Sequence, residues 1–121
     1  MRYSVPVVDD DPILTELYAQ MLVNAGFDVT RTRSVRDALM ALETREFSAI
    51  LSDVRLPEAD GLKFYQCVEE QFPAAATRFG FCTAWDDPST REFAAQRRIP
   101  MLRKPCPAQA LAAFVMRLIR P

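Results

Sequence analysis

Short apolar runs alternate along this chain with longer segments in which apolar residues recur every three or four positions. The short runs predict buried β-strands, and the helical spacing predicts amphipathic α-helices. Strands are predicted at residues 5–8, 27–30, 48–52, 77–82 and 99–102, and helices at 12–25, 35–42, 61–72, 88–96 and from 107 onward. Because strands and helices alternate, the pattern predicts an α/β fold in which five helices cover both faces of a doubly wound, five-stranded parallel sheet. The chain, 1–121, is expected to form a single domain.

Capping residues support the helix assignments. Asp11 and Pro12 predict the N-cap and first residue of the first helix, and Gly26 predicts its end. Ser34 and Asp37 resemble a capping box that opens the second helix. The apolar positions expected to face the core are Leu14, Leu17, Met21 and Leu22 in the first helix, Val35, Ala38, Leu39 and Leu42 in the second, Leu62, Tyr65 and Val68 in the third, and Leu111, Val115 and Leu118 in the fifth.

Pro6 conflicts with the strand in which it lies. Proline has no backbone N–H, so it removes one hydrogen bond from what should be a central strand. We therefore expect either a local irregularity beside Pro6 or a first strand that is shorter than usual.

The composition is that of an ordinary globular domain, with half of the 121 residues hydrophobic, 26% charged and a net charge of −1. This charge gives no basic field for nucleic acid, and no apolar run approaches the roughly 18 residues of a transmembrane helix. The start of the chain lacks the apolar core of a signal peptide. Cys67, Cys82 and Cys106 have no metal-type spacing and predict free thiols in a reducing cytoplasm. The absence of histidine excludes His-based acid–base catalysis.

Polar side chains follow four of the predicted strands at their carboxyl ends. Asp9 and Asp10 follow the first strand, Asp53 the third, Thr83 the fourth and Lys104 the fifth. In a parallel sheet these ends lie along one edge, which is where ligands bind in open α/β folds. We therefore expect the five side chains to collect there.

Three carboxylates packed together repel one another, by roughly 4 kcal/mol per pair at about 4 Å and an effective dielectric constant of about 20. Either one acid stays protonated or a cation lies among them. Oxygen ligands without imidazole or thiolate favour a hard ion, Mg²⁺ first and Ca²⁺ or Mn²⁺ next. Lys104 adds a positive charge suited to phosphate, and Thr83 adds a hydroxyl donor. Together these groups indicate phosphoryl transfer to a carboxylate, which gives an aspartyl-phosphate.

These segments resemble the response-regulator receiver domain of bacterial two-component signalling, and the resemblance covers essentially the whole chain. The matching motifs are the acidic pair in 7–12, the phospho-acceptor loop 53–61, the hydroxyl and small residue Thr83-Ala84, and the lysine-proline pair Lys104-Pro105. Asp10 and Asp53 lie 43 residues apart, Asp53 and Thr83 30, and Thr83 and Lys104 21, close to the family's intervals. The resemblance implies a flavodoxin-like, chemotaxis-regulator-like fold with strand order 2-1-3-4-5.

The resemblance implies that Asp53 is the nucleophile, which takes a phosphoryl group from the phosphohistidine of a histidine kinase or phosphotransfer protein. The reaction would need Mg²⁺, with Mn²⁺ as an alternative. Asp10 would ligate the metal directly and Asp9 mainly through metal-bound water. Asp53 itself and the backbone carbonyl of Arg55 would complete the protein ligands.

The phosphoryl group would have its own partners. The resemblance implies that Lys104 pairs with one phosphoryl oxygen, that Thr83 bonds another and that the backbone N–H of Ala84 assists. Pro105 would follow a cis peptide bond. Catalysis would be limited to the domain's own phosphorylation and slow dephosphorylation, so that it acts mainly as a switch.

Two features depart from the family pattern. Met101 lies three residues before Lys104, where the family usually has Tyr or Phe. Since methionine is flexible and apolar, it can fill an inner pocket, and we expect switching to proceed through Thr83 and the loop after the fourth strand. Arg55 and Trp85 lie two residues after Asp53 and Thr83, and their bulk is expected to shield the acyl phosphate and slow its hydrolysis.

Other functions stay open. One is a phosphorylation-independent pseudo-receiver that acts as a protein-interaction module, which Met101, Pro6 and Arg55 keep in consideration. Another is a flavin-binding or phosphatase α/β domain. However, three aspartates after the first strand would repel a flavin phosphate, and Arg55 stands where an Asp-based phosphatase has its second acid.

A receiver would also have a partner-binding surface. The family uses the face of the fourth helix, fifth strand and fifth helix for partners and homodimers, and the same use is expected here. We expect neither membrane association nor direct nucleic-acid binding by this domain.

Overall fold

Five parallel strands form one sheet with the order β2-β1-β3-β4-β5, which confirms the predicted fold. The computed structural model describes residues 2–56, 60–84 and 87–120. The strands are β1 (Ser4–Val8), β2 (Asp28–Thr32), β3 (Ile50–Ser52), β4 (Phe79–Thr83) and β5 (Met101–Arg103). The helices in these ranges are α1 (Pro12–Asn24), α2 (Val35–Thr44), α3 (Gly61–Gln71), α4 (Pro73–Ala76), α5 (Pro88–Arg97) and α6 (Ala108–Ile119).

The described part of the chain thus has six helices, one more than the five predicted. The additional helix is α4, a single turn that starts at Pro73 directly after α3. Proline ends α3, but it is also well suited to the first position of a helix, and the three alanines that follow favour helix. The same proline therefore ends one helix and starts another.

The buried face of α1 differs from the predicted one. Asp11 caps the helix as predicted, and its carboxylate accepts hydrogen bonds from the amides of Ile13 and Leu14. However, Leu17 is 47% exposed, whereas Tyr18 is only 4% exposed and faces the sheet. The partly buried residues among the remaining predicted core positions are Leu14, Met21, Leu39 and Leu62. The buried ones are Leu22, Val35, Ala38, Leu42, Tyr65, Val68, Leu111, Val115 and Leu118.

A local irregularity in the sheet accommodates Pro6. The amide of Ser48 donates to the carbonyl of Ser4 at 2.7 Å, and the amide of Asp53 donates to the carbonyl of Val8 at 2.8 Å. The two acceptors are four residues apart along β1, whereas the two donors are five residues apart. The segment leading into β3 therefore contains one extra residue beside Pro6, and regular pairing with β3 starts only at Val7. The missing donor thus falls where the ladder is already interrupted, and β1 keeps five residues.

The core lies on both faces of the sheet. One apolar cluster includes Phe64 of α3 with Phe79 and Phe81 of β4, and the other includes Tyr18 of α1 with Phe114 of α6. These layers hold the strands in register and bring the carboxyl ends of β1, β3, β4 and β5 to one edge. Across the described ranges, no helix combines the length and the hydropathy needed to cross a membrane.

Candidate functional site

Three ionisable side chains meet at the carboxyl edge of the sheet. The ammonium group of Lys104 donates to Asp9 Oδ2 at 2.5 Å and to Asp53 Oδ2 at 3.2 Å. The side chains of Lys104 and Asp9 are only 6% and 5% exposed, whereas that of Asp53 is 14% exposed. Lys104 thus links two acids from different strands, and Asp53 is the more accessible of the two.

The start of α1 fixes Asp9. Its amide donates to the carbonyl of Thr32 at 3.1 Å, which continues the β1–β2 pairing beyond the strand. Asp9 Oδ1 accepts from the amide of Asp11 at 3.0 Å, and the hydroxyl of Thr15 donates to the carbonyl of Asp9 at 2.9 Å. These hydrogen bonds hold the amide, the carbonyl and the Oδ1 atom of Asp9, so that its Oδ2 atom is directed at Lys104.

Asp53 is held in a similar way. Its Oδ1 accepts from the amide of Val54 at 2.6 Å, with a longer contact of 3.4 Å from the amide of Arg55. Its Oδ2 therefore faces Lys104. A Cβ atom at Gly61, the first residue of α3, would lie 2.5 Å from the carbonyl oxygen of Asp53 and 2.8 Å from Val54 Cα. Only glycine allows α3 to begin this close to the loop that carries Asp53.

Lys104 is positioned by β5 and by an aromatic ring. Its amide donates to the carbonyl of Thr83 at 3.0 Å, and the bond between Lys104 and Pro105 is cis, as expected. The ammonium lies 5.2 Å from the centre of the Tyr18 ring, a distance typical of a cation–π contact. Tyr18 and Cys82 also line a cavity of about 10 Å³ beside Asp9, Asp53 and Lys104.

Tyr18 and Cys82 belong to this site although neither is among the site residues predicted from the sequence. Tyr18 lies four residues after Leu14 and four before Leu22, so its helical spacing could have placed it on the buried face. Cys82 precedes Thr83 at the end of β4, but nothing in its spacing points to the site.

Burial and charge pairing shift the ionisation of these groups. Burial raises the pKa of Asp9, because the hydrogen bonds from Lys104 and Asp11 do not fully offset its desolvation. Burial by itself lowers the pKa of Lys104. The hydrogen bond to Asp9 and the charges of Asp53 and Asp9 outweigh this effect, so the pKa of Lys104 is raised. Lys104 is therefore an ammonium at neutral pH. Burial also raises the pKa of Cys82 to about 12, so that this residue is a neutral thiol.

The other predicted site residues lie around this centre. Asp10 is exposed next to Asp9, Thr83 is buried at the end of β4, and Ala84 is exposed directly after it. The side chain of Arg55 is exposed. Met101 is partly buried and packs against one of the apolar clusters. Part of the predicted phospho-acceptor loop, at 57–59, lies outside the described residues. Trp85, which is predicted to shield the acyl phosphate together with Arg55, lies outside them as well.

The donor set bears on whether a metal ion fits here. Within residues 2–56, 60–84 and 87–120, no three Asp, Glu or Cys side chains come close enough together to hold a metal ion. Mg²⁺, however, usually takes only one or two carboxylates and keeps several waters. Asp10 and Asp53, with a backbone carbonyl, offer the hard oxygen donors that such an ion requires.

Comparison with known proteins identifies one family. The sequence model of the family described as the response regulator receiver domain matches residues 5–116. The DNA-binding transcriptional regulator NtrC of Proteus hauseri is 31% identical over 70 residues, which are 58% of this chain and 15% of NtrC. The response regulator protein PilR of Pseudomonas aeruginosa is 32% identical over 72 residues, which are 60% of this chain and 16% of PilR. The aligned regions thus cover only a small part of these relatives.

Solved structures share the whole fold. A putative response regulator from Chloroflexus aurantiacus is 28% identical, with a TM-score of 0.89 and coverage of 100% of both chains. The chemotaxis response regulator CheY4 of Vibrio cholerae has a TM-score of 0.86 and 24% identity, with coverage of 98% of this chain and 99% of CheY4, and supports the fold alone.

Proposed function

Because this chain belongs to the response regulator receiver domain family, we propose that it is a phosphorylation-activated switch whose phospho-acceptor is Asp53. The observation that carries this proposal is the position of Asp53. Its side chain is partly exposed at the carboxyl edge of the sheet, and one carboxylate oxygen lies 3.2 Å from the buried ammonium of Lys104. A nucleophile needs this access, and a charged donor beside it stabilises an incoming phosphoryl group.

The reaction transfers a phosphoryl group from the phosphohistidine of a histidine kinase or phosphotransfer protein. An oxygen of Asp53 forms a bond to phosphorus as the P–N bond of the donor breaks, and the electron pair of that bond stays on the leaving imidazole nitrogen. Lys104 moves from Asp53 towards the new phosphoryl oxygens, while its contact with Asp9 keeps it in place. The hydroxyl of Thr83 and the amide of Ala84 bond the remaining oxygens.

A divalent cation, Mg²⁺ or Mn²⁺, would be held by Asp10, Asp53 and the Arg55 carbonyl, with Asp9 acting through water. When bound, it would neutralise the charge that builds up on the transferring phosphoryl oxygens. The excess of negative charge in the pocket supports this assignment, since Lys104 supplies one positive charge against the carboxylates of Asp9 and Asp53.

Phosphorylation would change the face formed by α5, β5 and α6, through which the domain would bind partners or a second copy. Met101 lies on β5 and packs against the core, so it can respond to a movement of Thr83 on the neighbouring strand β4. A phosphorylation-independent pseudo-receiver is the alternative function. It is favoured by the methionine at the position where the family usually has an aromatic switch residue.

The test is incubation with acetyl phosphate, a small phosphodonor, followed by intact mass spectrometry. We expect one phosphoryl group on the wild-type protein when Mg²⁺ is present and none when EDTA replaces it. Asp53→Asn should remain unlabelled, whereas Asp37→Asn, at an exposed position in the first turn of α2, should be labelled like the wild type. Absence of label on the wild type, or equal label on Asp53→Asn, would favour the pseudo-receiver.

A further inference from the structure

A second cavity lies at the opposite edge of the sheet. It has a volume of about 260 Å³, and its lining includes Leu42, Arg45, Phe47, Phe72, Ala75 and Arg78. Phe47 precedes β3 and Arg78 precedes β4, so both lie at the amino ends of the strands. Asp53 and Lys104 follow carboxyl ends, and the cavity is therefore separate from the phosphorylation site.

The guanidinium of Arg78 is incompletely satisfied. Its Nε atom is buried and has no hydrogen-bond partner among residues 2–56, 60–84 and 87–120. The backbone of Arg78 is fixed, because its amide donates to the carbonyl of Ala75 at 3.0 Å and its carbonyl accepts from the amide of Ile50 at 2.9 Å. Buried N–H groups are nearly always paired in folded proteins, and an unpaired one can be satisfied by a bound water or by a ligand.

The other walls define what kind of acceptor fits. Leu42 and Phe47 are buried apolar residues, and Phe72 and Ala75 are partly buried. Arg45 adds a second positive charge, held 4.8 Å from the centre of the Phe47 ring and 3.2 Å from the carboxylate of Asp28. Two arginines beside an apolar surface match an anion that carries an apolar body.

Glu46 narrows the choice of anion. This residue also lines the cavity, and its negative charge would repel a doubly charged phosphate more strongly than a singly charged group. A carboxylate also matches the planar fork of an arginine, because its two oxygens can accept from two N–H groups at once.

We propose that this cavity binds a small monocarboxylic acid with an aromatic or branched aliphatic body, whose carboxylate pairs with Arg78. The apolar body would lie against Phe47, Phe72 and Leu42. The volume suits a ligand of about ten non-hydrogen atoms, such as phenylacetate. This site is independent of phosphorylation at Asp53.

The experiment is titration of the isotope-labelled protein with phenylacetate and, separately, with its neutral analogue phenylacetamide. The signal of the Arg78 Nε–H group is followed by NMR. We expect a saturable shift with a dissociation constant of about 1 mM and at least about tenfold weaker binding of the amide. Equal binding of acid and amide, or no saturable shift up to about 20 mM, would overturn the proposal.

Two variants test the contributions of the Arg78 charge and of the cavity volume to binding separately. For Arg78→Met the amide signals of Phe47 and Phe72 replace the lost probe, and we expect binding at least about tenfold weaker than in the wild type. Ala75→Leu keeps the charge but fills the cavity, and it should also abolish binding. Arg36→Met, at an exposed position of α2, is the control and should bind normally. Unchanged binding in either cavity variant would contradict the proposed location. Both cavity variants should still accept a phosphoryl group, so failure at one site leaves the other testable.

Discussion

Replacing Lys104 with methionine would leave two acids without the cation that they share. Its ammonium lies 2.5 Å from Asp9 Oδ2 and 3.2 Å from Asp53 Oδ2. At an effective dielectric constant of about 20, these attractions amount to roughly 7 and 5 kcal/mol. Because both oxygens contact one nitrogen, they lie at most about 6 Å apart, and without the ammonium their repulsion at the same dielectric constant is at least roughly 3 kcal/mol.

The net effect on stability is smaller than the sum of these attractions, because methionine also removes the cost of burying an ammonium group. We expect Lys104→Met to lose about 3 kcal/mol of unfolding free energy at pH 7, the usual order for breaking a buried pair. The measurement is urea unfolding in EDTA, which keeps divalent cations out of the pocket. Lys63→Met, which changes the exposed lysine of α3, is the control and should stay within about 0.5 kcal/mol of the wild type.

The pH dependence gives a second readout. A raised lysine pKa stabilises the fold fully at pH values below the unfolded pKa, so the contribution of Lys104 is present at neutral pH and is lost only as the pH rises through its folded value, above 10.5. The raised pKa of Asp9 means that its protonated form is favoured in the folded state, so lowering the pH relieves the repulsion in the variant. The deficit should therefore shrink between pH 7 and about pH 4.5. A variant as stable as the wild type at pH 7, or a deficit unchanged at the lower pH, would refute this reasoning.

Three further predictions concern neighbouring residues. Gly61→Ala should lose about 1–3 kcal/mol in urea unfolding, because its Cβ would lie 2.5 Å from the Asp53 carbonyl oxygen; a loss below about 0.5 kcal/mol would contradict this close contact. Tyr18→Leu should slow phosphoryl uptake from acetyl phosphate at least about threefold, whereas Tyr18→Phe, which keeps the ring beside Lys104, should stay within about twofold of the wild type; equal rates in both would exclude the cation–π contact. Cys82, whose pKa burial raises to about 12, should resist iodoacetamide at pH 8 while the less buried Cys67 reacts, as peptide mass spectrometry would show; equal labelling would contradict this burial.

The parts of the fold that depend on neighbouring residues could be predicted from the sequence. Asp11 and Ser34 cap α1 and α2 as their local patterns indicate, because the side chain and the amides that it accepts from lie within three residues. Spacing alone does not decide whether Leu17 or Tyr18 lies on the buried face of α1, because both lie three or four residues from other predicted core positions. Both residues carry apolar surface, and the rotation of α1 is set by its packing against the sheet.

The candidate site also combines features that could be predicted from the sequence with features that depend on packing. Parallel topology brings polar residues at strand ends to one edge, and this was sufficient to predict that Asp9, Asp53 and Lys104 lie together. The contact between Lys104 and Asp9 joins residues 95 positions apart, and the sequence does not show that Lys104 lies closer to Asp9 than to Asp53. The close approach of Gly61 to Asp53 is likewise a property of packing in three dimensions, and no local pattern reveals it.

A crystal soaked with Mg²⁺ and beryllofluoride, a stable mimic of the phosphoryl group, would test the proposed phosphorylation site most directly. We predict the mimic on an oxygen of Asp53, with Lys104 and Thr83 in contact with its fluorine atoms and the metal ion next to Asp10 and the carbonyl of Arg55. If the pocket held no beryllofluoride after a soak at saturating concentration, or if the mimic were bound at another carboxylate, the assignment of Asp53 as the phospho-acceptor would be contradicted.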